Sequence, residues 1–182
     1  MSELACTPGQ TVGPFFGMAL PYPGDSALVD PADPGAVRLH GTVYDGAGGP
    51  VPDALIELWQ PDAAGRIVRH PGSLCRDGSF TGWGRAATDA NGHYGFSTVP
   101  PGSAGGPPFF AITVFARGLL NRLFTRAYLP DGDLDADPLF ASLDAGRRAT
   151  LLCVTDPTGY RFDIRLQGTD ETVFLTYRDD PR

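Results

Sequence analysis

The stretch from residue 40 to residue 66, HGTVYDGAGGPVPDALIELWQPDAAGR, constrains the fold more than any other part of the sequence. It holds two short apolar runs, Val43–Tyr44 and Ala54–Trp59, and a turn containing Asp and Gly follows each of them. Val51-Pro52 lies between the runs, where neither a helix nor a sheet ladder can continue. Short apolar segments bounded by such turns predict strand, turn, strand and turn at the centre of an all-β domain.

Glycine and proline are abundant, with 24 Gly and 18 Pro in 182 residues, and they follow no repeating period. This distribution fits many short strands joined by tight turns, and it argues against long helices or a collagen-like fibre. A chain of this length can bury roughly 70% of its unfolded surface in one domain. We therefore expect a single domain over residues 37–182, preceded by an extended N-terminal arm over residues 1–36.

The apolar pattern predicts about eight to nine short strands. Phe109–Phe115 is the most apolar of them and is expected at the centre of a sheet. The clearest alternation is in YRFDIRL, which places Tyr160, Phe162, Ile164 and Leu166 on one face. Within Ala87–Val99 one strand is predicted before the DANG turn and one after it. The other predicted strands are Val37–Tyr44, Ala54–Trp59, an edge strand Thr125–Leu129, Leu151–Val154 and Thr172–Tyr177.

One short helix is predicted over Asp137–Ala149, with Asp137 as N-cap and Pro138 at the first helical position. Strands and helices do not alternate along the chain, so a parallel α/β sheet is excluded. The sequence therefore predicts an all-β fold, a β-sandwich.

Charge and cysteine usage restrict the partners and the compartment. A net charge of -7 argues against binding nucleic acid, which requires a basic face. The three cysteines, Cys6, Cys75 and Cys153, are far apart and form no CxxC, so we expect reduced thiols in the cytoplasm. The N-terminus lacks a basic region, and the run 109–116 is too short to span a bilayer. We expect a soluble protein without a signal peptide.

The histidine and tyrosine positions do not predict a metal site in this chain. His40, His70 and His93 are not spaced at i,i+2 or i,i+4 from one another. The six tyrosines lie mostly within predicted strands, where packing accounts for them. Cys153 also lies in an apolar strand, where cysteine behaves as a small hydrophobic residue, and no GxSxG is present. We expect no catalytic residue and no metal ligand.

A basic segment, FARGLLNRLFTR, follows the expected central strand and contains Arg117, Arg122 and Arg126. Two interpretations remain open. One interpretation is that the arginines serve only as partners for the acidic residues of the chain. The other is that they form a cationic mouth for an anionic aromatic ligand.

These segments together resemble the intradiol ring-cleaving dioxygenases. The resemblance covers most of the chain from Thr7 to Leu175 and is carried by TPGQTVGPFF, GTVYDGAGGPVPDALIELWQPDAAGR, GWGRAATDANGHYGFSTVPPG, FARGLLNRLFTRAYLPD and YRFDIRLQGTDETVFL. Generic prealbumin-like modules share the second and third patterns. The arm, the arginine segment and the final hairpin, in this order, make the resemblance specific.

The resemblance is to the alpha chains of the two-chain members, which cleave protocatechuate with O2 to 3-carboxy-cis,cis-muconate. It implies a hetero-oligomer of alpha–beta pairs in which non-haem Fe(III) is held by two Tyr and two His of the beta chain. In this chain the His-x-His position falls on Phe109-Phe110-Ala111, and neither the PGSAGGPP loop nor the segment 70–78 contains a Tyr. The cofactor Fe(III) is therefore expected on the partner beta chain.

The resemblance further implies that this chain helps to form the substrate pocket. On the matching motifs, Thr11, Gly13 and Pro14 of the arm and Arg117 after the central strand would bind substrate. A bulky side chain at Gly13 would fill the space that an aromatic ring needs. The arm, which carries the aromatic pair Phe15 and Phe16, is expected to pack on the partner subunit.

An alternative from another functional class is a prealbumin-like sandwich that acts as a binding or structural module without a catalytic partner. This alternative predicts a monomer that needs no companion chain. Co-purification with a second chain distinguishes the two hypotheses.

Overall fold

The computed structural model describes residues 10–13, 15–68 and 79–177. Within these ranges the regular structure is mainly β, which confirms the predicted fold class and strand number. The strands are β1 (Val37–Tyr44), β2 (Leu55–Trp59), β3 (Trp83–Ala87), β4 (His93–Thr98), β5 (Phe109–Phe115), β6 (Leu123–Tyr128), β7 (Val154–Asp156), β8 (Gly159–Arg161) and β9 (Ile164–Arg165).

The strands form two sheets. The first has the order β4-β1-β8-β7, with β9 also pairing with β1, and the second has the order β3-β2-β5-β6. β1 is antiparallel to β4, with Val37 opposite Thr98, and parallel to β8 and β9. As predicted, β5 is an interior strand and β6 lies at an edge.

Side chains from both sheets meet in one apolar core. Fully burying a side chain of leucine size contributes about 1.5–3 kcal/mol, so this shared core is the main source of stability. A smaller cluster of Tyr128, Phe140, Leu151 and Val173 forms beside the β5–β6 end of the second sheet. The main core includes Leu39, Val43, Ile56, Leu58, Phe96, Phe110, Ile112, Val114, Phe162 and Ile164.

The strand predicted over Tyr160–Leu166 is divided into β8 and β9. The division falls at Phe162 and Asp163, where the Asp163 side chain accepts a hydrogen bond from the backbone nitrogen of Thr42 at 3.1 Å. A side-chain oxygen thus takes the place of a ladder acceptor. Gly41 permits the close approach, because a Cβ at Gly41 would collide with the carbonyl group of Phe162.

The helix predicted over Asp137–Ala149 is two helices, α2 (Pro138–Ala141) and α3 (Ala145–Ala149). Asp137 caps α2, since its side chain accepts from the backbone nitrogen of Leu139 at 2.8 Å, as the sequence predicts. Asp144 adopts an extended conformation with ψ of 164° and caps α3 in the same way, and this interrupts the helix. Two further short elements are α1 (Phe16–Ala19) and a 3-10 helix, η1 (Leu134–Ala136).

The strands predicted over Leu151–Val154 and Thr172–Tyr177 do not form as regular strands. Leu152 and Leu175 each make only an isolated bridge, to Tyr128 and to Phe124. The apolar residues around them are buried in the smaller cluster or in the main core without forming a regular ladder, so their hydrophobicity reflects packing. The strand in this region, β7, begins only at Val154.

The described part of the N-terminal region includes a segment that packs on the sandwich. The backbone nitrogen of Leu28 donates to the Ser97 carbonyl at 2.8 Å, and the Leu28 side chain is buried in the main core. Gly84 makes room for that side chain, because a Cβ at Gly84 would meet it. Among the described residues, no helix is long and apolar enough to cross a membrane.

Candidate functional site

The arm meets the end of β5 at a specific hydrogen bond. The backbone nitrogen of Gly118 donates to the side-chain oxygen of Thr11 at 2.7 Å. Gly118 has a φ of +88°, a left-handed conformation that favours glycine, so the chain turns sharply after Arg117. Two of the predicted substrate-binding residues, Thr11 and Arg117, are thereby brought to the same place.

Arg117 forms an ion pair with a residue that the sequence did not single out. Its Nε contacts the carboxylate of Asp53, which lies in the connection between β1 and β2. The Arg117 side chain remains 57% exposed, and the Asp53 side chain is 27% exposed. Because the pair engages Nε, the two terminal nitrogens of the guanidinium remain suited to a second anion.

Gly13 lies two residues after Thr11 in the arm and is exposed. A Cβ built at Gly13 would have no heavy atom within 4 Å among the described residues. The position therefore borders open space, as expected for a residue whose small size leaves room for a ligand. Pro14, the remaining predicted substrate-binding residue, lies outside the described residues.

A cavity of about 200 Å³ separates the arm from the segment after β5. Gln10 and Val12 line it on the arm side, and Phe115, Leu119 and Arg122 line it on the other. Its lining therefore mixes polar and apolar surface and includes one guanidinium. Such a lining is complementary to an aromatic anion, because a guanidinium pairs with a carboxylate and stacks on a ring.

The three arginines of the basic segment have different environments. Arg117 pairs with Asp53, and Arg126 pairs with Asp137 at 2.8 Å. Arg122 is exposed and lies over the Phe124 ring, 5.0 Å from its centroid. The interpretation as partners of acidic residues therefore holds for Arg117 and Arg126. The cationic mouth for an anionic ligand stays a prediction.

The alternation of β5 places the residues at the expected His-x-His position on two different faces. Phe110 belongs to the main core, whereas Phe109 packs against the smaller cluster on the opposite side of the second sheet. Ala111 follows the same alternation as Phe109 and is opposite Arg126 on β6. Two histidines at these positions would therefore point to the outer face.

A network of an ion pair, a hydrogen bond and a cation–π contact occupies that outer face. The Arg126 guanidinium lies 4.5 Å from the Phe109 ring centroid, and Arg126 Nη1 lies 2.8 Å from Asp137 Oδ2. The hydroxyl of Tyr128 donates to the same carboxylate oxygen at 3.0 Å. Burial raises the pKa of Tyr128 to about 12, so the phenol stays neutral and acts as a donor.

The described tyrosines and histidines of the core regions have other partners. The buried hydroxyl of Tyr94 donates to the Phe162 carbonyl at 2.5 Å, and burial raises the pKa of Tyr94 well above its ordinary value. His40 Nε2 lies 2.6 Å from Asp156 Oδ2 on the first sheet, and His93 is exposed on β4. His70 lies outside the described residues.

Comparison with known proteins gives the family. The family model Dioxygenase_C, described as a dioxygenase, matches residues 12–168. The protocatechuate 3,4-dioxygenase alpha chain of Burkholderia cepacia is 41% identical over 96% of this chain and 99% of that one. The chain belongs to the intradiol ring-cleavage dioxygenase family. The family membership predicted from the motifs is confirmed.

Two further relatives show the reach of this intradiol dioxygenase family. The protocatechuate 3,4-dioxygenase beta chain of Burkholderia cepacia is 37% identical over 75% of this chain and 66% of that one. A solved structure, the dioxygenase domain of a dioxygenase and carbohydrate-binding fusion from Streptomyces sp. SirexAA-E, covers 90% of this chain and 99% of that one. Its TM-score is 0.55 at 24% identity, so it shares the fold.

The Fe(III) that an intradiol dioxygenase implies does not fit the described residues of this chain. No group of three or more His, Cys, Asp or Glu side chains is placed to hold a metal ion in the part of the chain that the structure describes. A ligating tyrosine must be deprotonated. Tyr94 and Tyr128 are neutral hydrogen-bond donors, and Arg126 brings a permanent cation beside the two expected histidine positions.

Sequence reasoning missed Asp53 and Asp137 as members of these two ion pairs. Asp137 was predicted only as a helix cap, and one of its carboxylate oxygens does serve that role. Asp53 gave no signal beyond its position after Val51-Pro52, because turns favour aspartate for conformational reasons. An acid between two strands predicts a pair only when the position of its partner is known.

Proposed function

We propose that this chain is the alpha subunit of a protocatechuate 3,4-dioxygenase. One observation carries the proposal: the chain matches an alpha chain over nearly its whole length, while its own described residues do not fit the family's iron. The substrate would be protocatechuate, cleaved with O2 between its hydroxyls to 3-carboxy-cis,cis-muconate. The reacting Fe(III) would belong to a partner beta chain.

Within this proposal the chain supplies the wall of the pocket. Arg117 offers a guanidinium to the carboxylate of the substrate, and Gly13 and Pro14 leave room for the ring. Thr11 fixes the arm to the backbone that follows Arg117. These residues bind and orient substrate and exclude water, and none of them takes part in bond formation.

The N-terminal arm, residues 1–36, is proposed to contact the beta chain through the part that precedes Leu28, which is itself buried in the main core of this chain. Residues 37–182 are proposed as the single sandwich domain. The exposed apolar side chains of the arm support this assignment. Phe15 is 69% exposed and Met18 is 71% exposed, and both lie at α1 beside the predicted substrate-binding residues. Burial of such side chains against a partner would be favourable.

The proposal also includes location and metabolic role. A cytoplasmic enzyme is proposed from the scattered cysteines, which form no disulfide framework in the sequence. The reaction would serve the breakdown of aromatic compounds through the β-ketoadipate pathway.

Co-expression with a beta chain tests the proposal. The purified alpha chain alone is expected to contain no stoichiometric iron and to cleave no protocatechuate. The co-purified complex is expected to contain one iron per alpha–beta pair and to be active. A ferric, coloured and active alpha chain on its own would overturn the proposal, as would an alpha chain that stays monomeric in the presence of the beta chain.

A further inference from the structure

We propose that Asp53 is a positioning residue that orients Arg117 for the substrate carboxylate. This inference rests on the proposed function. Asp53 has not been assigned a role by the motifs that point to Thr11, Gly13, Pro14 and Arg117. The case for Asp53 comes from the contacts that hold its carboxylate and from the side of the guanidinium that it engages.

The backbone on either side of Asp53 is held by one buried hydroxyl. The side-chain oxygen of Thr88 donates to the Val51 carbonyl at 2.8 Å, and it accepts from the backbone nitrogen of Ala54 at 2.9 Å. Thr88 is 7% exposed and Ala54 is fully buried. The segment between Val51 and Ala54 is therefore attached firmly to the sandwich, and Asp53 projects from a fixed support.

The arm approaches Asp53 as well as the backbone after Arg117. A Cβ at Gly17 of α1 would lie 3.8 Å from the Asp53 carbonyl oxygen. Thr11 bonds to Gly118, the residue that follows Arg117. The ion pair thus lies where the arm, the β1–β2 connection and the end of β5 meet.

The geometry of the pair suits orientation of a long, exposed side chain. A free arginine at 57% exposure samples several rotamers, and ordering it at the moment of binding costs entropy. Asp53 contacts Nε and so restricts the orientations of the guanidinium before substrate arrives. The two terminal nitrogens form the end of the guanidinium opposite Nε, and this end can pair with a carboxylate through two hydrogen bonds.

Removal of Asp53 has two opposing effects on binding. Asp53→Asn removes a negative charge, which favours an anionic substrate, but it also frees the guanidinium to move. The charge effect is weakened by solvent at so exposed a site, so loss of orientation is expected to dominate. KM for protocatechuate should rise about threefold with kcat nearly unchanged.

The test is a double-mutant cycle in the assembled alpha–beta complex. The variants are Asp53→Asn, Arg117→Ala and the two combined, with Asp135→Asn as the matched control at another exposed aspartate–arginine pair. Asp53→Asn should raise KM in the wild-type background and have no further effect once Arg117 is alanine. Asp53→Glu, which keeps the charge, should restore part of the lost affinity.

The outcomes separate this inference from the proposed function. If Arg117→Ala raises KM while Asp53→Asn leaves it unchanged or lowers it, the positioning role is wrong and the proposed function stands. An equal effect of Asp53→Asn in both backgrounds would assign Asp53 a purely structural role, and a parallel loss of thermal stability would support that assignment. If the wild-type complex does not cleave protocatechuate, the proposed function fails first.

Discussion

The side-chain oxygen of Thr11 accepts a hydrogen bond from the backbone nitrogen of Gly118, 107 residues further along the chain. This contact joins the N-terminal arm to the turn that follows Arg117. A segment without a core of its own thereby becomes part of a defined site. Local sequence preferences do not determine such a contact. Single substitutions test whether it contributes to substrate binding.

Thr11→Val should loosen the arm without unfolding the sandwich. Valine keeps the shape of threonine but cannot accept a hydrogen bond from Gly118. Gly118 is exposed, so water can replace the lost acceptor and stability should change by less than about 0.5 kcal/mol. In the complex, KM for protocatechuate should rise about two- to tenfold, the equivalent of one hydrogen bond.

Steady-state kinetics and limited proteolysis of the arm check this prediction. Thr155→Val on β7 is a matched control, because Thr155 is exposed and lies on the first sheet. Unchanged KM together with unchanged cleavage of the arm would mean that the Thr11 contact has no role in binding.

Gly13→Val should block the pocket while leaving the chain folded. The Cβ position at Gly13 meets open space among the described residues, so the new side chain causes no clash within this chain. In the complex it would occupy volume that the substrate ring needs. Activity should fall at least about tenfold, as for the loss of a few kcal/mol of binding, and thermal unfolding of the complex should be unchanged. Full activity would place Gly13 away from the substrate.

Arg117→Ala should raise KM and leave the iron content of the complex intact. The change removes a charge-assisted contact to the substrate carboxylate, worth about 1.5–3 kcal/mol, or roughly 10- to 150-fold in kcat/KM. A protocatechuate analogue without its carboxylate should be insensitive to the change. Loss of iron or of assembly would show instead that Arg117 is structural.

Asp137→Ala should destabilise the chain at the outer face of the second sheet. It removes the cap of α2 and leaves Arg126 without its partner in a half-buried setting. The free energy of unfolding should fall by about 2–3 kcal/mol, a range reduced to allow for partial solvent access to Arg126. Asp135→Ala provides the control, since Asp135 is 71% exposed and should cost less than about 0.5 kcal/mol. Chemical denaturation of the two variants measures the difference.

Asp156 should make stability depend on pH in the acid range. Hydrogen bonds from Thr158 and His40 hold the pKa of the Asp156 carboxyl well below its usual range. The depressed pKa contributes stability that is present above the ordinary carboxyl pKa, and this contribution is lost as the pH falls below about 4. Asp156→Asn should therefore be less stable than wild type at pH 7, and the gap should narrow toward pH 3. Denaturation curves at both pH values test the sign, and a constant gap would contradict it.

The sequence was sufficient for features that depend on local chemistry. The continuous apolar run Phe109–Phe115 predicted an interior strand, and Asp137-Pro138 predicted a helix start, because burial and capping are encoded by neighbouring residues. Family motifs supplied the resemblance that the comparison confirmed. Thr11 and Arg117 could be named as substrate-binding residues from those motifs, and the structure places Thr11 in contact with Gly118, the residue after Arg117.

Features that depend on long-range contacts could not be predicted. The break in YRFDIRL arises because Asp163 reaches the backbone of Thr42, 121 residues earlier. The partnership of Asp53 with Arg117 likewise requires the β1–β2 connection to lie beside the end of β5. In each case an aspartate whose partner cannot be read from its sequence neighbours contacts a distant segment.

The network of Phe109, Arg126 and Asp137 bears on whether this subunit could be converted to a metalloenzyme. Replacing Phe109 and Ala111 by histidine would direct two imidazoles to the outer face of β5. Arg126 would still hold a permanent positive charge opposite one of them, and charge repulsion would oppose a ferric ion. Neutralising Arg126 would in turn leave the Asp137 carboxylate without its guanidinium. Conversion would therefore require replacing Arg126 and Asp137 together with the ligand positions. Restoring the missing ligands alone would yield a chain that still excludes iron.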